Sequence, residues 1–168
     1  MTAMRTPWIL ALLTACSGSP TEWNSLQDEI RTRFPEAEQL SIEDFEELRK
    51  PSTLVVDVRA LEEYEVSHLP GAVHATSAED ILTLAEAEQA ADIVVYCSVG
   101  WRSSDMVTRL TGKTDLPLYN LEGSIFAWAN SGREVVRGET VVPKVHPYDE
   151  EWGRLLRSEA RAALPIER

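Results

Sequence analysis

The chain has 168 residues, 43% hydrophobic and 26% charged, the balance of a globular domain with a real core and not of a disordered chain. A formal net charge of −12 argues against nucleic acid, which needs a cationic face, and against electrostatic adhesion to anionic lipid. Two cysteines, Cys16 and Cys97, cannot build a metal cluster with the usual ligand spacings, and neither a metal nor another cofactor is expected.

The first residues read as a targeting segment. Arg5 precedes the apolar run Trp8-Ile9-Leu10-Ala11-Leu12-Leu13, which is too short to span a bilayer, and small residues follow. Leu13-Thr14-Ala15-Cys16 resembles a bacterial lipoprotein signal, which implies a signal peptide over residues 1–15 and lipidation of Cys16. An ordinary signal peptide or a start placed too early are the alternatives. The expected location is the bacterial periplasm, lipid-anchored to the envelope, and Ser17 resembles an outer-membrane sorting residue. Cys97 would then be the sole thiol of the mature protein in an oxidising compartment, with no resolving partner in the chain.

After the linker Ser17-Gly18-Ser19-Pro20, residues Trp23, Leu26, Gln27, Ile30 and Phe34 follow helical spacing, with Thr21 as cap and Pro35 as stop. Leu40 begins a short edge strand. Ser41 with Asp44 marks a helix start, Phe45 and Leu48 its buried face, and Pro51 its close. Leu54 to Val58 is a buried strand. Asp57 and Arg59 flank its end, with Glu62 and Glu63 nearby, and read as a structural network at the sheet's edge. Ser77 caps a helix to Gln89 whose apolar side is Ile81, Leu82, Leu84 and Ala85.

Asp92 to Tyr96 continues as an apolar run, the pattern of a strand buried on both faces. Cys97 stands where that strand becomes a loop, the end at which ligands bind in open α/β sheets. Gly100 permits positive φ, so successive amides can turn inward as a nest. A helix starting near Arg102 or Ser103 adds free N–H groups and a positive dipole end. Such surroundings lower a thiol's pKa from ~8.5 toward ~3.5–7.5. That helix runs to about Leu110, with Met106, Val107 and Leu110 inward. Leu116 to Tyr119 forms a strand, and Glu122 to Ser131 a helix stopped at Gly132, with Ile125 and Trp128 in the core. Pro143 and Pro147 mark an extended crossing. Asp149 caps a last amphipathic helix carrying Trp152, Leu155, Leu156, Ala160 and Ala163, expected to pack back on the domain, with a partner or dimer surface as the alternative.

Three segments together resemble the rhodanese-like sulfurtransferases. They are Cys97-x-x-Gly100-x-Arg102-Ser103 after a buried strand, Leu54-Val55-Val56-Asp57-Val58-Arg59 with Glu63-Tyr64 and His68-Leu69-Pro70-Gly71-Ala72-Val73-His74, and Leu121-Glu122-Gly123-Ser124-Ile125 with Trp128 and Gly132. The resemblance covers about residues 39 to 136. Ser124 stands where the family usually has a second glycine, and Ser67 where it has a small residue, usually glycine, before the histidine. The fold implied is α/β and three-layered, with a roughly five-stranded parallel sheet, helices on both faces and extra helices at both ends. The corresponding division is a linker and N-terminal helix over 16–36, the domain proper over 37–140 and a C-terminal extension over 141–168.

The resemblance implies sulfur transfer. Cys97 takes a sulfane sulfur from a donor such as thiosulfate, forming a persulfide cradled by Ser98, Val99, Gly100, Trp101, Arg102 and Ser103. A thiol, cyanide or a protein acceptor then removes it. Asp57 and Arg59 act as structural support, and His68 and His74 lie outside the cradle. Arg102 either attracts an anionic donor or pairs with a carboxylate, and both readings stay open. Trp101 lines the pocket mouth and could favour a hydrophobic acceptor, while Val99 leaves the loop weakly cationic. A cysteine phosphatase or arsenate reductase would need five residues between Cys and Arg to wrap an oxyanion, and here there are four. A catalytically silent binding module of the same fold is the other alternative, and such modules commonly lack the cysteine.

Overall fold

The computed structural model describes residues 19–164. Strands β1 (Gln39–Leu40), β2 (Thr53–Asp57), β3 (Val73–His74), β4 (Asp92–Tyr96) and β5 (Leu118–Leu121) form one sheet in the order β1-β5-β4-β2-β3. Every pairing in it is parallel. Parallel neighbours need crossovers, and these are supplied by α2 (Ile42–Leu48), α3 (Leu61–Val66), α4 (Ala78–Ala87) and α5 (Trp101–Leu110). Helix α1 (Pro20–Arg33) precedes the sheet and α6 (Ser124–Asn130) follows it.

The unbroken apolar run of β4 has a direct structural meaning. Alternate side chains leave a strand on opposite faces, so β4 feeds two cores at once. Val94 and Tyr96 join Val55, Phe45, Ile125, Phe126 and Trp128 on one face. Ile93, Val95 and Cys97 join Leu54, Val56, Ile30, Ile81, Met106, Val107 and Leu110 on the other. Helices α2 and α6 therefore cover the first face and α1, α4 and α5 the second, which is the three-layer arrangement expected. Cys97 belongs to the α5 side by this alternation.

Local chemistry explains where the helices start. Ser41 and Ser77 cap α2 and α4, each hydroxyl accepting an N–H three residues on, at 3.0 and 3.1 Å. Helix α1 is capped by Ser19, not Thr21. Pro20 takes the first helical position, where its missing N–H costs nothing, and the Glu22 side chain closes a capping box with Ser19. Helix α5 begins at Trp101, earlier than Arg102 or Ser103, because Gly100 adopts φ +112° and turns the chain into the helix at once. Strand β5 runs on to Leu121, past Tyr119, since Asn120 and Leu121 find partners in Gln39 and Leu40 of β1. Helix α6 starts at Ser124, two residues after Glu122.

Several elements carry no strong local signal. Helix α3 and strand β3 are among them, as is the antiparallel hairpin of β6 (Val135–Arg137) and β7 (Thr140–Val142). The hairpin is stitched to the loop after α3 by reciprocal His68–Val136 backbone bonds of 2.8 and 2.9 Å. The C-terminal segment does pack back on the domain, and Val145, Leu155, Leu156 and Ala160 are buried in the α2/α6 core. It is helical in two short 3-10 turns, Trp152–Leu155 and Ser158–Ala160, rather than as one amphipathic α-helix. Asn130 explains the break. Its side-chain amide donates to the Leu155 carbonyl at 2.6 Å and accepts from the Arg157 N–H at 2.9 Å, occupying backbone groups that a continuous helix would use.

A buried ion pair closes the carboxyl end of β2. Arg59 Nε donates to both Asp57 oxygens at 2.9 and 3.1 Å, and Nη2 donates to Asp57 Oδ2 and to the Ser67 carbonyl at 2.6 Å each. Both side chains are fully buried. The pair lies in the interior of the sheet, not at its edge, because β2 is flanked by β3 and β4. Removing one member would leave the other charge buried and unpaired. Asp57→Ala is expected to cost about 3–5 kcal/mol in urea unfolding. A loss no larger than that of an exposed pair, ~1 kcal/mol or less, would contradict the role assigned.

Candidate active site

Cys97 follows β4 directly, with its side chain 1% exposed. Burial by itself disfavours a thiolate, so the site must supply donors. The Gly100 N–H donates to Sγ at 3.2 Å, and the Ser103 hydroxyl donates at 3.4 Å. Ser103 sits in the first turn of α5, where backbone N–H groups have no partner within the helix, and its N–H also serves the sulfur. The positive φ of Gly100 is what turns its own N–H inward. A Cβ there would lie 3.3 Å from Asn120 Nδ2, so a side chain is opposed by both backbone and space.

The other side of the loop is held from α6 and α1. The Ile125 and Phe126 N–H groups donate to the Cys97 and Ser98 carbonyls at 3.3 and 3.1 Å. Ser124 accepts the Cys97 N–H at 3.1 Å on its hydroxyl, which itself donates to the Leu121 carbonyl. The backbone at Ser124 has φ +52°, a region that favours glycine, and these two hydrogen bonds offset that preference. Gln27 Nε2 donates to the Val99 carbonyl at 3.2 Å, so the helix preceding the domain reaches the loop as well. With its carbonyls engaged outward, the loop is free to direct N–H groups at the sulfur.

Arg102 turns to a carboxylate. Its Nη1 and Nη2 donate to Glu63 Oε2 and Oε1 at 2.8 and 3.0 Å, and Nη2 also donates to Ser98 Oγ at 2.9 Å. The Ser98 hydroxyl donates in turn to Glu63 Oε1 at 3.1 Å. Glu63 is buried at the start of α3 and also accepts the Ala60 N–H at 3.1 Å. Burial would raise its pKa, but the hydrogen bonds and charge of Arg102, the Ala60 N–H and the charge of Arg59 hold it below the usual carboxylate value. For Cys97, burial likewise pushes the thiol up. The charge of Arg102, the hydroxyl and N–H of Ser103 and the Gly100 N–H outweigh it, leaving the pKa below that of an ordinary cysteine. Since both nitrogens of the fork are engaged by Glu63, Arg102 does not present the free bidentate grip that a phosphatase loop would need.

The thiol opens on a cavity of about 170 Å³ lined by Cys97, Ser98, Val99, Trp101, Arg102, Tyr148 and Trp152. The loop residues singled out in the sequence are thus brought together around the sulfur. Trp101 stands at the mouth with its ring edge-on to Phe34 at 5.5 Å. Asp57 and Arg59, paired with each other and tied to the Ser67 carbonyl, do not line this cavity. His68 stacks on Tyr64 at 3.9 Å, His74 Nε2 lies 2.8 Å from the Arg59 carbonyl, and neither lines the cavity. Four residues of the site escape sequence reasoning in that role: Glu63, Gln27, Tyr148 and Trp152. Glu63 is 39 positions from Arg102, and the Glu63-Tyr64 motif carries nothing that pairs it with that arginine. Cys16 lies outside the described residues.

The charge of Arg102 is the leading influence opposing the burial of the thiol. Arg102→Gln is therefore expected to move the pH midpoint of Cys97 alkylation by iodoacetamide upward. An unchanged midpoint in a variant whose thermal melt shows it folded would overturn this assignment.

Comparison with known proteins agrees with the geometry. A family model described as Rhodanese-like domain matches residues 41–131. A tRNA uridine(34) hydroxylase of Photorhabdus laumondii is 31% identical over 121 residues, covering 68% of this chain and 34% of that protein. A thiosulfate sulfurtransferase GlpE of Pseudomonas syringae is 27% identical over 104 residues, covering 61% of this chain and 98% of that protein. The crystal structure of a thiosulfate sulfurtransferase from Pseudomonas aeruginosa shares the fold with a TM-score of 0.55 at 21% identity, over 70% of this chain and 23% of that one. The chain thus spans about a third of the hydroxylase and less than a quarter of the Pseudomonas aeruginosa protein. The family match takes in α2 through α6, with the sulfur loop between them, and accounts for more than half of the sequence: this chain belongs to the rhodanese-like domain family.

Proposed function

We propose that the protein is a sulfurtransferase working through a persulfide on Cys97. The observation that carries this reading is the convergence of donors from Gly100 and Ser103 on a buried sulfur whose pKa lies below its ordinary value. The similarity to GlpE thiosulfate sulfurtransferases supports a thiosulfate-type donor. In the first step the Cys97 thiolate attacks the outer sulfur of the donor. A sulfur–sulfur bond to Cys97 forms, the bond within the donor breaks, and its electron pair leaves with sulfite. The terminal sulfur of the persulfide then carries the negative charge, and the loop donors stabilise it as they did the thiolate. A thiol or cyanide removes that sulfur and restores the thiolate.

The alternative, a silent binding module, gains no support from the site, since a thiol in an ordinary buried setting would be expected to titrate higher and not lower. A separate reading, a lipid on Cys16 that anchors the protein at the bacterial envelope, rests on the resemblance of Leu13-Thr14-Ala15-Cys16 to a lipoprotein signal. Fractionation of the full chain with membranes, abolished in Cys16→Ser, tests that placement independently of the chemistry.

Intact mass after brief exposure to thiosulfate should show the gain of one sulfur atom, lost on adding cyanide and absent in Cys97→Ser. No gain with any sulfane donor would favour the binding module. The thiolate is the attacking form, so the rate of the first transfer should rise with pH through the lowered pKa and level off below the ~8.5 of a free thiol. A profile still climbing beyond that pH would contradict the proposed activation.

A further inference from the structure

The mouth of the Cys97 cavity has features that sulfur transfer alone does not require. Trp101, Tyr148 and Trp152 make its wall aromatic. Among the described residues lining it, Arg102 alone is cationic, and its fork is engaged by Glu63. The Tyr148 ring lies 5.0 Å from the Arg102 guanidinium carbon, and both side chains line the cavity. Tyr148 and Trp152 are joined by Asp149-Glu150-Glu151, three consecutive carboxylates, of which Glu150 and Glu151 are exposed. Glu62 lines the adjoining surface hollow together with Tyr148.

Charge and contact therefore point the same way. With Cys97 ionised, the trio Cys97, Arg102 and Glu63 carries a net negative charge. On the Tyr148 side Glu62, Asp149, Glu150 and Glu151 outnumber Arg161 and add to it. On the Trp101 side Arg109 is paired with Asp105, and Arg33 is the opposing cation. A dianion entering this mouth is repelled about twice as strongly as a monoanion of the same size, within a screening length of ~8 Å at physiological salt. An apolar group on the donor meets three aromatic side chains. We propose that this cavity selects an organic sulfane donor, with one negative charge on its sulfane sulfur and an aryl or alkyl group beyond it, over the thiosulfate dianion. The proposal rests on the persulfide reading above and names the substrate class of that site.

The step balances without an external oxidant. For a thiosulfonate, the Cys97 thiolate attacks the terminal sulfur and a sulfur–sulfur bond to cysteine forms. The bond to the sulfonyl sulfur breaks, and its electron pair leaves as sulfinate. Cysteine is oxidised to the persulfide level and the sulfonyl sulfur is reduced.

Three donors separate the two effects: thiosulfate, methanethiosulfonate and benzenethiosulfonate, each assayed for kcat/KM with cyanide as acceptor. Methanethiosulfonate should exceed thiosulfate, and benzenethiosulfonate should exceed methanethiosulfonate by about tenfold, the scale of one or two aromatic contacts. Added salt, or the exposed double substitution Glu150→Gln with Glu151→Gln, should raise the thiosulfate value more than that of methanethiosulfonate. Tyr148→Ala or Trp152→Ala should shrink the benzene-to-methane ratio. Thiosulfate matching both organic donors in the wild type, or a benzene-to-methane ratio unmoved by both aromatic substitutions, would overturn the selectivity while leaving sulfur transfer intact. If no donor adds sulfur to Cys97, both readings fall.

Discussion

A sulfur anion at the end of a buried strand has to be held by donors, because the folded chain leaves Cys97 almost no access to water. An isolated charge in such a place costs several kcal/mol, and a thiol would simply keep its proton. Here the loop answers with a short set of oriented groups: the Gly100 N–H, the Ser103 hydroxyl and N–H, and the charge of Arg102. Much of the surrounding structure follows from that demand. Gly100 must have positive φ so that its N–H faces inward, and α5 must begin at once so that the Ser103 N–H is still free. The first amides of α6 and the Gln27 side chain take up the loop carbonyls, so the backbone can present its donors to the sulfur.

The charges near the site are arranged in layers. Asp57 and Arg59 form the inner layer, dry and paired, where the loop after β2 is tied to the Ser67 carbonyl. Helix α3 rises from that loop and delivers Glu63, which joins Arg102 and Ser98 in the second layer. The cation that lowers the thiol pKa is thus neutralised on its far side. Its charge still favours an anionic sulfur, while its engaged fork offers little to a free oxyanion. Tyr148 and Trp152, carried by the C-terminal 3-10 segment, complete the outer wall. The site consequently draws on segments from Gln27 to Trp152, and the helices flanking the family match are part of it rather than appendages.

Where this organisation was legible in the sequence, the signal was local. The apolar run of β4 indicated a doubly buried strand, Ser41 and Ser77 marked helix starts through side chains that reach only three residues, and Cys97-x-x-Gly100-x-Arg102-Ser103 set the sulfur beside a turn and a helix start. Each depends on neighbours in the chain, so residue order suffices. The same locality explains the near misses. Thr21 and Ser19 are both acceptable caps, and only Pro20 at the first helical position decides between them. Leu155 and Leu156 fit a helical stripe, yet Asn130 claims the backbone beside them.

Sequence alone therefore determined the two-faced parallel sheet, the position of Cys97 at the end of β4 and the turn that exposes N–H groups to it, because strand alternation, capping and glycine's freedom act over a few residues. Tertiary structure alone decided which of the many carboxylates meets Arg102, and which distant aromatic side chains wall the cavity. Those choices depend on how β2 and β4 align in register, Asp57 beside Tyr96, bringing α3 over the Cys97 loop, and on where the C-terminal segment finds backbone partners. Contacts between residues tens of positions apart are fixed by packing of the whole, and the local Glu63-Tyr64 pattern carries nothing that pairs Glu63 with Arg102.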